Sequence, residues 1–412
     1  MQAEHRSVHF RDIFNTAVFV AALGYFVDIY DLVLFGIVRV PSLKSLGLSG
    51  DAVLNQGLFL LNMQMAGMLI GGIVFGIIGD KKGRLSLLFG SIFLYSIANV
   101  ANAYVSSIGA YAALRFVAGV GLAGELGGGI TLVAEILSKE ARGYGTMIVA
   151  SVGVAGAVLA YWVAEKFDWR MAYLIGGVLG LMLLALRIGM FESGMFRQIK
   201  QQGIQRGKFI ALFTNKKRFV KYLKCILIGL PSWYVVGILL TLSPEFSKEM
   251  KIAGDINAGR AIMFCYLGLI PGDVISGVLS QWMKSRKKIV WIFMFVSLAF
   301  IIWYYLSWGV RPALFYLICF GLGLGIGYWA VFVTIAAEQF GTNMRATVAT
   351  TVPNFVRGAV IPITLSFDLA KHHLGIIGGG IVVGIACMAL AFWALHRMEE
   401  TFGKELDYVE LM

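Results

Sequence analysis

Residues 66–96 read AGMLIGGIVFGIIGDKKGRLSLLFGSIFLYS. An apolar run closes on Gly76-Ile77-Ile78-Gly79-Asp80, a short basic turn Lys81-Lys82-Gly83-Arg84 follows, and a second apolar run begins at once. A soluble helix keeps one polar face for water, and these runs have none. They have the length and composition of helices solvated by lipid, turned around on a charged loop.

The same alternation extends in both directions. Apolar segments fall near residues 14–38, 56–79, 86–106, 108–137, 144–165, 171–191, 219–242, 259–283, 289–308, 312–336, 346–369 and 374–396. Each is roughly 20 residues or more, enough at 1.5 Å per residue for a ~30 Å hydrocarbon core. The expected fold class is therefore an all-α polytopic membrane protein of twelve transmembrane helices. Composition agrees: 58% of the 412 residues are hydrophobic and only 14% are charged. Fifty glycines suit helices that approach one another closely.

The net charge of +12 does not imply nucleic acid, because the basic residues sit in loops between apolar runs. With the N-terminus taken as cytoplasmic, 23 of the 35 Lys and Arg residues fall on that side, nine on the other and three (Arg115, Arg187 and Arg357) within spans. This bias predicts both termini inside. The first apolar run carries no cleavage site and reads as a retained helix. Cys225, Cys265, Cys319 and Cys387 all lie in apolar stretches, so no disulfide framework is expected.

Residues 192–218 form the longest polar loop, strongly basic and without an acidic residue after Glu192. It divides the spans six and six. The expected organisation is a bundle over 1–191, a cytoplasmic linker over 192–218, a second bundle over 219–396 and a cytoplasmic tail over 397–412. The halves repeat: Ala134-Glu135 precedes Arg142 as Ala337-Glu338 precedes Arg345, and Gly76-x-x-x-Asp80 has a counterpart in Gly277-x-x-x-Gln281. Parallel repeats imply two bundles rocking about a central site.

Several motifs carry chemistry. Asp80, Gly83 and Arg84 suit a cytoplasmic gate, where the glycine permits a tight turn and the charges pair near helix ends. Glu135 with Arg142 and Glu338 with Arg345 suit the same gate or bridges between helices. Charges within spans are expensive and mark function by default. Asp28, Glu125, Asp273 and Arg357 fall near the middle of their spans, with Asp31 one turn beyond Asp28 and Arg115 beyond Glu125. Asp28 and Asp31 share one helix face. Close carboxylates in a low dielectric resist double ionisation, so one can hold a proton, and Arg115 cannot release its own. Asp31, Arg115, Asp28 and Glu125 are therefore the expected proton-coupling residues. Arg187 lies toward a span end, where snorkelling explains it. In the second half Arg357 can hold a carboxylate, and Asn354, Trp233, Tyr234, Tyr266, Asp273, Tyr328 and Trp329 are candidate substrate contacts. Pro353 would free backbone carbonyls beside them.

The loop 76–84 motif resembles the loop 2–3 signature of the major facilitator superfamily. Phe26-Val27-Asp28-Ile29-Tyr30-Asp31 and Arg115-x-x-x-Gly119-x-Gly121-x-x-Gly124-Glu125-x-Gly127-Gly128 resemble helix 1 and helix 4 of its metabolite:proton symporter branch. Glu192-Ser193-x-x-Phe196 fits that branch, with Gly194 where proline is frequent, and Glu400-Thr401-x-Gly403 resembles a tail shared with the sugar porters. The Gln-Gln pair of sugar porters is missing from span 7, where Pro231, Trp233 and Tyr234 stand. The resemblance implies a major facilitator fold of two six-helix pseudo-repeat bundles, and alternating-access symport of a small organic acid or zwitterionic metabolite with protons. It also places Asp31 and Arg115 as the proton-linked pair. An exporter of the same fold is the alternative, and a non-transporting membrane sensor a weaker one. No enzymatic activity, cofactor, metal site or nucleic-acid partner is expected, and His372-His373 reads as a solvated pair. The expected setting is a monomer in a bacterial inner membrane, surrounded by lipid.

Overall fold

The computed structural model describes residues 16–82, 84–125, 127–129, 133, 142–192 and 209–404. Every regular element among them is helical. In chain order these are α1 (Thr16–Ser45), α2 (Asp51–Lys82), α3 (Arg84–Asn102), α4 (Ile108–Leu122), α5 (Arg142–Val154), α6 (Gly156–Lys166), α7 (Trp169–Glu192) and α8 (Ala211–Thr214). They continue with α9 (Lys216–Leu227), α10 (Leu230–Tyr234), a π-helical turn (Val235–Leu240), α11 (Ser243–Glu249), α12 (Ala258–Trp282) and α13 (Arg286–Leu306). The last are α14 (Pro312–Ile326), α15 (Trp329–Glu338), α16 (Thr342–Gly358) and α17 (Val360–His396). Starts follow local chemistry: Ser107, Asn215, Asn257 and Ser285 cap α4, α9, α12 and α13 through their side-chain oxygens, and Pro312 opens α14.

Among the described residues eight helical stretches are long and apolar enough to cross a membrane, or nine with the bent pair Lys216–Leu227 and Leu230–Leu240. Several expected spans are thus broken or merged. The longest stretch, Thr347–His396, has 50 residues. At 1.5 Å per residue a straight helix of that length would run ~75 Å, more than twice a bilayer core. The chain instead turns at Gly375, whose φ of 69° only glycine adopts without strain. Gly379 then lies against the Lys371 backbone, where a Cβ would meet its nitrogen at 2.9 Å.

Backbone packing repeats. On α2, Gly67 and Gly71 face the carbonyls of Phe116 and Val120, and Gly119 of α4 faces that of Gln64. On α12, Gly268 and Gly272 face the carbonyls of Phe320 and Leu324, and Gly323 of α14 faces that of Cys265. Both sets match at constant offsets of 201 residues for α2 to α12 and 204 for α4 to α14. In each pair a side chain would push the backbones apart, so glycine is what lets the helices touch. The breaks repeat as well: α4 ends at a turn on Ala123-Gly124, and α14 ends at Gly327-Tyr328. Large apolar side chains such as Phe19, Leu317, Leu369 and Ile385 are exposed on the outside, the surface that lipid covers.

Candidate functional site

One face of α1 organises the buried charge. Gly24, Asp28 and Asp31 lie at successive turns of that face. Asp31 pairs with Arg115 of α4, Nη1 to Oδ1 3.6 Å, both side chains fully buried. Arg115 also donates to Asn99 Oδ1 from α3, and its guanidinium stacks 4.6 Å from the Tyr173 ring. Tyr173 and Tyr111 share a 2.8 Å hydrogen bond behind it.

Asp28 faces a different partner. Arg357 of α16 approaches with Nη2 3.8 Å from Oδ2, again fully buried. That separation is an ion pair without a hydrogen bond, and neither Asp28 oxygen has a hydrogen-bond partner among the described residues. Arg357 Nε is likewise unpartnered, while Nη1 lies 3.5 Å from Asn354 Oδ1. Asn354 in turn donates to the carbonyl of Ala123 at the α4 break, 2.8 Å, and packs on Gly72 of α2.

Glu125, just beyond that break, is paired with Arg187 of α7, which also reaches the Val20 carbonyl of α1 at 3.4 Å. A Cβ on Gly24 would occupy the space of this pair, so the glycine makes room for it. Arg187 therefore does not snorkel, contrary to the sequence expectation. It is 6% exposed and neutralises a carboxylate that would otherwise stand alone.

The remaining candidates separate into two groups. Tyr266 and Tyr25 are buried within electrostatic reach of Asp28 and Arg357, and Tyr25 also of Asp273 and Trp329. Asp273 of α12 accepts the Ala330 N–H at 3.0 Å, which caps the start of α15 at the Gly327-Tyr328 break, and leaves Oδ2 without a partner. Tyr234 and Tyr328 instead hold helices together: Tyr234 bonds Tyr305 Oη at 2.7 Å and the Gly380 carbonyl at 2.8 Å, and Tyr328 donates to the Ile228 carbonyl at 2.9 Å. Trp233 is buried in α10.

Of the gate residues, Gly83 and Glu135 lie outside the described residues, as do the side chains of Asp80, Arg84, Arg142 and Arg345. Glu338 is described. It pairs with Arg286 of α13 at 3.4 Å and accepts from Thr401 Oγ1 at 2.7 Å. The tail is fastened to the same place. Glu400 accepts from Ser285 Oγ and, at 2.9 Å, from the Arg286 N–H, while Lys224, Lys287 and Gln339 donate to the carbonyls of Arg397, Met398 and Glu399.

One bridge was not foreseen. Arg39 of α1 is fully buried and donates from Nη2 to both oxygens of Glu245 in α11, at 2.6 and 2.8 Å, and to the Thr241 carbonyl at 3.1 Å. The apolar run ends at Val38, which leaves Arg39 outside it and among the nine basic residues of the far side, whereas α1 continues to Ser45.

Comparison with known proteins gives the frame. Relatives include a gentisate transporter of Corynebacterium glutamicum, 26% identical over 91% of this chain and 86% of its own, and the niacin transporter NiaP of Acinetobacter baylyi, 22% identical over 96% of both. The fold is similar to that of the proton:xylose symporter XylE, with a TM-score of 0.72 at 16% identity over 96% of this chain and 98% of that one. The family model of the Major Facilitator Superfamily matches residues 21–364, and the chain belongs to that family of membrane transporters.

Proposed function

We propose that the protein is a proton-coupled symporter of a small organic acid. It lies in a bacterial inner membrane with both termini cytoplasmic and works as a monomer. Its six-helix bundles over 1–191 and 219–396 are joined by the linker 192–218, with residues 397–412 as a cytoplasmic tail. The observation that carries this reading is the adjacency on α1 of two buried carboxylates with different arginine partners, Asp31 with Arg115 and Asp28 with Arg357. A carboxylate that is charged when bridged and neutral when protonated can bias which arrangement of the bundles is stable, provided the arrangements hold the proton differently. Asp31 and Arg115 are the proton-linked pair, with Asp28 and Glu125 beside them. Arg357, Asn354, Tyr266, Asp273 and Trp329 face the substrate. Asp80, Gly83, Arg84, Glu135, Arg142, Glu338 and Arg345 serve the cytoplasmic gate, and Arg39 with Glu245 closes the opposite side.

The names of the relatives support small carboxylates with an unsaturated or aromatic body: gentisate, niacin and, for a transport protein of Acinetobacter baylyi, cis,cis-muconate. The test is uptake of labelled gentisate, nicotinate and muconate into proteoliposomes, with and without an inward proton gradient. Gradient-dependent accumulation of at least one is expected. Equal uptake with and without the gradient, or efflux driven by it, rejects the symport reading.

A further inference from the structure

We infer that Arg357 is shared in turn by Asp28 and the substrate's carboxylate, so that the arriving anion displaces Asp28 and Asp28 takes up the proton that travels with it. This rests on the reading of the protein as a carboxylate transporter and assigns its anion subsite.

The geometry of the pair carries the argument. The Asp28–Arg357 contact joins α1 to α16, helices from the first and last thirds of the chain, across the central charge cluster. It is held loosely. At 3.8 Å it makes no hydrogen bond, and Asp28 Oδ1, Asp28 Oδ2 and Arg357 Nε all lack partners although all are buried. Buried polar atoms are ordinarily satisfied, and exceptions call for a reason. The Asp31–Arg115 pair is also loose, with both Asp31 oxygens and Arg115 Nε and Nη1 unpartnered, but both other central pairs lie within the first half of the chain and their arginines have further anchors. Arg115 has Asn99 and the Tyr173 ring besides Asp31, and Arg187 holds Glu125 through both terminal nitrogens. Arg357 is the arginine of the three whose pair links the first half of the chain to the second, and its unpartnered Nε, with Asn354 3.5 Å from Nη1, leaves a donor there for a planar carboxylate.

Charge balance then fixes the proton. Before binding, Asp28 and Arg357 neutralise each other. When a carboxylate takes Arg357, the displaced Asp28 is a buried anion without a counter-charge, which is strongly unfavourable. Its surroundings offer no replacement. The groups near it are Tyr25 and Asp31 on α1, Glu125 beyond α4, Tyr95 on α3 and Tyr266 on α12, which supply negative charge or none. Arg115 and Arg187 are already engaged by Asp31 and Glu125. Protonation of Asp28 restores neutrality, with one proton taken up per monocarboxylate; it is the same proton that Asp31, one turn along α1, exchanges with its Arg115 bridge, so the ratio stays at one.

The test is equilibrium binding to the detergent-solubilised full chain, which needs no gradient and so stands or falls separately from symport. The probes are gentisate, nicotinate, cis,cis-muconate and the neutral nicotinamide. In the wild type, carboxylate Kd should rise with pH, approaching tenfold per unit where one proton is taken up per anion. Asp28→Asn should bind the carboxylates at least as tightly and flatten that slope. Arg357→Gln should lose the preference for nicotinate over nicotinamide, and Arg357→Lys should retain part of it. A wild-type Kd independent of pH, an unchanged slope in Asp28→Asn, undiminished carboxylate preference in Arg357→Gln, or failure of all three carboxylates to bind would each overturn the assignment. The wild-type slope is decisive even if a variant fails to fold.

Discussion

Replacing Asp31 with Asn removes the charge that meets Arg115 at 3.6 Å in a fully buried setting. With an effective dielectric of about 20, that separation corresponds to an attraction of about 4–5 kcal/mol. Protonation of Asp31 cancels the same attraction, so the bridge can favour one bundle arrangement by several kcal/mol. Driving a two-state equilibrium from 1:99 to 99:1 takes about 5.5 kcal/mol, and the pair's gross attraction, before the desolvation of two buried charges is subtracted, is of that order. An asparagine cannot alternate between the two charge states. A gradient of one pH unit supplies about 1.4 kcal/mol per proton, or roughly tenfold accumulation of an anion carried with one proton. In proteoliposomes the wild type should approach that ratio. Asp31→Asn should fall to about unity while counterflow exchange, which needs no net proton movement, persists within a few-fold. Counterflow also guards against misfolding, because Arg115 keeps Asn99 and Tyr173 in the variant. Should Asp31→Asn still accumulate substrate in a pH-dependent manner, the reasoning is refuted, because the proton then reaches its site without passing through Asp31.

Glu245→Gln leaves Arg39 buried without its counter-charge, so an impermeant thiol reagent should reach a cysteine placed at Thr241 faster from outside; unchanged labelling would contradict a closing role. Gly323→Ala should lower the thermal midpoint in detergent by the equivalent of about 1–3 kcal/mol, because its Cβ would collide with the Cys265 carbonyl. Gly277→Ala is the control, since nothing lies within 4 Å of that Cβ, and it should be neutral or stabilising. Partial burial raises the Glu400 carboxyl, but hydrogen bonds from Ser285, Phe402, Arg286 and Thr401 together outweigh it and hold the group below the ordinary glutamate range. A depressed value contributes stability above the unfolded value of about 4.3 and loses it as pH falls through the folded one. Glu400→Gln should therefore cost on the order of 1 kcal/mol near neutral pH, allowing for partial exposure, and its melting curve should converge on the wild type in acid; parallel curves would be the wrong result.

Much of this was legible in the sequence, and the limits have physical causes. Apolar run length identified membrane helices because lipid imposes it, and the Asp28–Asp31 spacing placed both carboxylates on one face. The repeat was visible in Gly76 and Gly277, and the glycine contacts between α2 and α4 and between α12 and α14 give it a structural register. Hydropathy could not separate helices that break while remaining apolar, as at Gly327-Tyr328 and at the π-helical turn. Nor could it pair charges, since a buried arginine's partner is set by helix packing. Asp28 meets Arg357 from 329 residues away, and Glu125 meets Arg187 rather than Arg115. Tyr234 and Tyr328 looked like site residues by their mid-span position, but the structure satisfies their hydroxyls within the protein. A span position cannot tell a phenol that holds helices together from one that meets a ligand.

The most direct test of the central claim is to watch the proton itself. Purified protein is reconstituted with a pH-sensitive dye trapped in the vesicle lumen, and gentisate, nicotinate or muconate is added outside with no gradient imposed. The account predicts that the lumen acidifies as the carboxylate enters, with a proton-to-anion ratio near one for a monocarboxylate, and that Asp31→Asn abolishes the signal. Carboxylate entry without luminal acidification, or alkalinisation instead, would contradict it.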